Sequence, residues 1–200
     1  MHLVFDIFQG IGIAAAIGVR PFLPALVAGV LASGNVELSF DHTKVHFLQQ
    51  PVFLFVMVVG ILLVALAERR LAGSEGGARP VAVGLGLCAL VLGALFAGGA
   101  FAHYRHHESA LRWIGAGAGV VCALIGLAAT QPLLTRVRAR LDAEAGGVLP
   151  VVSDGAAALA AALSVVAPPV GVIVVLGLLW LLIAGRGRTD RKYAGLRILR

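Results

Sequence analysis

The chain has 200 residues, 60% of them hydrophobic and 13% charged, with a mean hydropathy of +0.97, whereas soluble domains run at roughly 45 to 50% apolar and about 25% charged. This excludes a soluble globular protein, and no stretch is long and polar enough to form a soluble domain beside a membrane part. A net charge of +6 would point a soluble domain toward nucleic acid, but here the basic residues lie in short loops and a tail, where they act as topology signals. The expected class is therefore an all-α, polytopic helical integral membrane protein in contact with lipid and with no nucleic-acid partner.

The first apolar segment, residues 3–33, is interrupted by Arg20-Pro21-Phe22-Leu23-Pro24. Pro21 to Ser33 covers only about 20 Å as a helix, short of the roughly 30 Å hydrocarbon core, so the segment reads as a broken element, re-entrant or hairpin-like, that turns at Arg20. Met1 to Gln9 has no basic n-region and no clear cleavage site, and the segment is expected to stay in the mature protein. After a polar stretch from Gly34 to Lys44, residues 51–71 form the first clear transmembrane helix, ending at Glu68-Arg69-Arg70. Pro80, placed in the first turn where its missing N–H costs nothing, opens the second, 80–102. The third, 113–134, opens on Trp113 at the membrane interface and carries Gly115 and Gly119 at a spacing that lets helices approach closely.

Residues 136–149 then read as an amphipathic turn or two and a Gly-Gly break lying at the membrane surface. Residues 151–184 would span about 51 Å as one helix, far more than one crossing needs, and are broken at Pro168-Pro169. Charge decides whether the two halves turn back. As a hairpin they leave Arg69, Arg70 and Arg79, Arg136, Arg138 and Arg140, and six Lys or Arg of the tail 186–200 on one side, twelve in all, against Lys44, Arg105 and Arg112 on the other. A single crossing would reverse the bias, so the positive-inside rule selects the hairpin with a cytoplasmic basic tail. Three clear transmembrane helices are thus flanked by two broken elements that point at each other from opposite faces.

Broken helices in a bilayer leave backbone groups that protein, water or solute must satisfy, and transporters place substrates there. Arg20, Pro21 and Phe22 form the candidate anion-binding corner, with a guanidinium beside the N-terminus of the half-helix that Pro21 opens; the alternative is an Arg20 that reaches the headgroups from a structural kink. Glu68 lies on the same side as Arg20 and is either its ion-pair partner or a solvated helix end. Asp6 and Asp154 sit near the starts of the two broken elements and suit gating or proton handling, while Ser153-Asp154 also suits an N-cap. His103 and His107, with His106 and Glu108 between and beside them, have the spacing of two metal ligands, but Arg105 and Arg112 oppose a cation, so no metal is expected. Cys88 and Cys122 read as small apolar packing residues. No nucleophile, phosphate-loop or haem motif is present, so neither an enzyme nor a cofactor is expected.

GIGIAAAIGVRPFLPALVAGV, Gly10 to Val30, resembles the opening of a bacterial membrane family, domain of unknown function 4126: a Gly/Ala-rich start followed by Gly18, Arg20, Phe22, Leu23 and Pro24 in a G-x-R-x-F-L-P pattern. Glu68, closing the next span, and the pair Ser153-Asp154 match further features of that family, whereas Arg69-Arg70 departs from the acidic, proline-containing loop that often follows there. The resemblance implies a multi-pass protein of the bacterial inner membrane and carries no activity. The reading that follows from the residues is transport or conduction of a small anionic solute or lipid headgroup between the two broken elements. The rival reading is a non-catalytic accessory subunit, and at this size either role calls for a homo-oligomer or a larger membrane complex.

Overall fold

The structure, a computed structural model, describes residues 2–34, 45–71, 75–102, 109–138 and 148–194, together with 36, 40 and 43. Among these are seven α-helices: α1 (His2–Val19), α2 (Phe22–Ser33), α3 (Pro51–Leu71), α4 (Glu75–Ala102), α5 (Ser109–Arg138), α6 (Leu149–Val166) and α7 (Pro168–Ala194), with one 3₁₀ turn, His46–Gln49, ahead of α3. Five of them, α3 to α7, are long and apolar enough to cross a membrane. The fold is all-α and polytopic.

Several boundaries move from their sequence-based positions. α4 begins at Glu75, so Pro80 lies in its second turn and not at its start. α5 runs four residues beyond each end of 113–134, and absorbs residues 136–138 of the expected surface segment, of which 139–147 lie outside the described residues. Pro132 does not end α5; next to it the Thr135 hydroxyl donates to the Gln131 and Pro132 carbonyls. The expected tail from residue 186 continues α7 as helix through Ala194.

Residues 3–33 turn back. α1 enters Arg20 and α2 leaves it in the opposite direction, as the neighbours of each helix show: Arg20 meets Ser153 at the start of α6, while Gln9 of α1, Ala32 of α2 and Val165 of α6 lie at the other end. α6 therefore runs antiparallel to α1 and parallel to α2. The second broken element turns at Ala167, with Pro168 as the first residue of α7; Gly171 packs on Phe8 and Gly12, and Leu182 reaches the cluster that contains Val19. Each hairpin thus places its turn at the open end of the other. Two ends of the bundle follow from this, an Arg20 end and a far end that holds Gln9, Ser33 and Ala167.

α1 is the axis, packed on by α4, α5, α6 and α7. Ala14, Ala15 and Ala16 are fully buried because small side chains let four neighbours close on one helix. At two places even a methyl is too much: a Cβ on Gly12 would lie 2.9 Å from that of Ser164, and one on Gly18 would lie 2.7 Å from the Cα of Ala123. Gly115 and Gly119 are used inside the chain, against Phe101, Ala97 and Gly93 of α4. The far end is closed by aromatic packing, with the Phe40 ring edge-on to Phe96 at 5.8 Å, and at that end the Arg112 guanidinium stacks over the exposed Trp113 ring at 5.6 Å.

Candidate functional site

The site begins with the break between α1 and α2. Pro21 has no N–H for the Ile17 carbonyl and Pro24 has none for the Arg20 carbonyl, so the chain leaves the helical path at Arg20. Pro21 is the N-cap residue of α2, in a helical backbone conformation without a side-chain cap, and the helix starts at Phe22. The Phe22 ring lies on Gly60 of α3, where any Cβ would come within 2.6 Å of it. This contact fixes the register of α3, and eight residues further on, about 12 Å along the helix, it brings Glu68 to the turn.

Arg20 Nη1 donates to Glu68 Oε1 at 2.8 Å. Its Nε is 3.1 Å from both Ser153 Oγ, to which it donates, and Asp154 Oδ1. The Ser153 hydroxyl in turn donates to the Pro150 carbonyl at 2.8 Å. The guanidinium side chain is 10% exposed, while Glu68 and Asp154 are 24% and 32% exposed, so the cation sits inward and the carboxylates lie between it and the outside. Arg20 has no further hydrogen-bond acceptor for Nη2 among the described residues, and no buried side-chain nitrogen or oxygen there lacks a partner. Nη2 therefore keeps access to water.

Two expectations are corrected here. α6 begins at Leu149, so Ser153 and Asp154 stand in its second turn and do not cap it; the N-cap residue is Val148, because Pro150 is accommodated in the first turn and lets the helix start early. Released from capping, both side chains turn to Arg20. The anion corner at Arg20, Pro21 and Phe22 is also not open. One guanidinium faces two carboxylates, and the cluster carries a formal charge of −1 that repels an anion.

Asp6 does not belong to this cluster. It stands fourteen residues before Arg20 on α1, about 21 Å away along the axis, so the structure brings together Arg20, Glu68 and Asp154 and leaves Asp6 toward the far end. His103 and His107 lie outside the described residues.

No family model, curated protein or solved structure matches the chain. The Gly10 to Val30 resemblance rests on its motif.

A residue that sequence reasoning passed over completes the geometry. Gln9, 2% exposed, donates from Nε2 to the Val165 carbonyl at 3.0 Å. In a continuous helix that carbonyl would accept from residue 169, which is Pro169 and has no N–H; Gln9 supplies the missing donor from another helix. The signal was present in the spacing, since Gln9 and Arg20 are eleven residues apart, about three helical turns, and so share one face of α1. Each hairpin's turn is therefore tied to the other hairpin by a polar side chain of the α1–α2 unit, by Gln9 at the far end and by Arg20 at the near one.

Proposed function

We propose that the protein is a small permease of the bacterial inner membrane, belonging with domain of unknown function 4126, in which the Arg20–Glu68–Asp154 cluster is the cytoplasmic gate between two interlocked hairpins. The observation that carries this reading is the convergence of three ionisable side chains from three separate elements at the seam of two oppositely directed hairpins. Intramembrane charges of that kind mark solute and ion pathways, and hairpins of opposite direction supply the parts that move against each other. The solute class changes from the anion expected at Arg20 to a proton or small cation, because the gate has net negative charge. A cation or proton taken by either carboxylate weakens its hold on Arg20, which is how occupancy would open the seam.

The distribution of basic residues supports a cytoplasmic Arg20 end. In a protein made cysteine-free through Cys88→Ala and Cys122→Ala, a cysteine at Thr189 should react with an impermeant maleimide only after the membrane is opened, and one at Thr43 should react from outside in intact cells. Equal labelling of both from outside overturns the assigned orientation.

The flux test uses proteoliposomes with proton, sodium or potassium gradients, with chloride and phosphate as comparison anions. Wild type should dissipate at least one cation gradient faster than protein-free liposomes, and the double variant Glu68→Gln with Asp154→Asn should not. The accessory-subunit reading is favoured by one observation: α3 stands at the edge of the bundle with only 6% of its apolar window buried, which leaves a full helix for a second copy or a larger complex. A well-folded wild type that moves none of the probes defeats the permease reading in favour of that one.

A further inference from the structure

At the Arg20 end, α5 and α7 leave between them a cleft of about 220 Å³, lined by Ala128, Ala129, Pro132 and Arg136 of α5 and by Leu182 and Gly185 of α7. Its floor is apolar, with Ala129 buried and Leu182 half-buried in the cluster around α1. Its mouth carries the exposed side chain of Arg136. Beyond the cleft, Arg138 ends α5, and Arg186 and Arg188 follow Gly185 on the helical backbone of α7.

We infer that this cleft binds one anionic glycerophospholipid of the leaflet at the Arg20 end. Two features meet there and each selects part of such a molecule. The apolar slot takes an acyl chain, and the exposed Arg136 guanidinium at its mouth takes the phosphate. Basic pockets between helices on the cytoplasmic side are where anionic headgroups bind. A partner helix, about 10 Å across, does not fit a cleft of this size. The inference is independent of the permease reading, since it needs no movement of the Arg20 cluster.

The test takes the purified full chain from vesicles of equimolar phosphatidylglycerol and phosphatidylcholine with matched acyl chains and counts retained lipids by native mass spectrometry. Wild type should retain phosphatidylglycerol in preference to phosphatidylcholine. Arg136→Gln should lower phosphatidylglycerol retention about fivefold, the factor equivalent to ~1 kcal/mol for one basic residue at an anionic surface. Leu182→Trp, which fills the slot, should lower retention of both lipids, and Arg112→Gln at the far end should change neither. Arg136 is exposed and its substitution leaves the packing intact, so that variant decides the matter even where Leu182→Trp disturbs the fold. Equal retention of the two lipids by wild type, undiminished retention by Arg136→Gln, or an equal loss in Arg112→Gln each overturns the site.

Discussion

Arg20→Ala is expected to lower the stability of the purified protein by about 3 kcal/mol, at the lower end of the cost of removing one partner from a buried ion pair. The substitution leaves Glu68 and Asp154 facing each other without the cation between them, and leaves Ser153 Oγ without its donor. The value falls at the lower end because the carboxylates, 24% and 32% exposed, recover part of their hydration. Arg20→Lys should cost less but not restore wild type, because a compact ammonium on a flexible stem does not reproduce a fork that donates from Nη1 to one helix and from Nε to another. The triple variant Arg20→Leu, Glu68→Gln, Asp154→Asn should recover much of the stability lost in Arg20→Ala, since no uncompensated charge remains. Thermal melting in detergent reads all of these. A midpoint for Arg20→Ala equal to that of wild type would show that the cluster does not hold the hairpins together, and the gate would lose its basis.

Gly18→Val should be at least as damaging, and through packing alone. A Cβ at Gly18 would meet the Ala123 backbone, its carbonyl oxygen first and its Cα at 2.7 Å, and backbone has no rotamer by which to move aside. α1 and α5 must separate along their length to admit the side chain. Overpacking of this kind costs typically about 1 to 3 kcal/mol and occasionally more, and α1 touches five other helices, so the displacement spreads. The expected result is loss of the monodisperse folded species on size exclusion. Gly117→Val and Gly84→Val serve as controls, because a Cβ at either position meets nothing within 4 Å. Their folding should be close to that of wild type. If Gly18→Val purifies and melts as these controls do, the close approach of α1 to α5 is not a requirement of the fold.

The two variants separate two kinds of information in the chain. Membrane class, helix number and the existence of two breaks follow from composition, run lengths and prolines, because the bilayer demands a given length of apolar helix and internal satisfaction of the backbone. That Arg20 and Glu68 share one end follows from reading residues 3–33 and 151–184 as hairpins, a reading that the distribution of Lys and Arg favours without knowledge of packing. Helix ends were less legible. Pro80 reads as a starting signal, yet α4 begins five residues before it, and Ser153-Asp154 reads as a cap, yet α6 begins at Leu149.

The identity of the partners was decided only in three dimensions. Ser153-Asp154 has the local form of a cap, and nothing nearby in the chain says that both side chains turn to a residue 133 positions away. Arg20 by itself reads as an open cation; its charge is matched only because Phe22 against Gly60 sets the register of α3 and so delivers Glu68. Gln9 looks like an incidental polar residue until Val165, with its carbonyl orphaned by Pro169, is brought beside it. The sequence by itself determines how many times the chain meets the membrane and where each helix must break, because those demands come from the bilayer and act on each segment alone. Which broken end meets which side chain depends on the rotation and register of α1 against its neighbours, and those are set by glycines and alanines whose only signal is the absence of bulk.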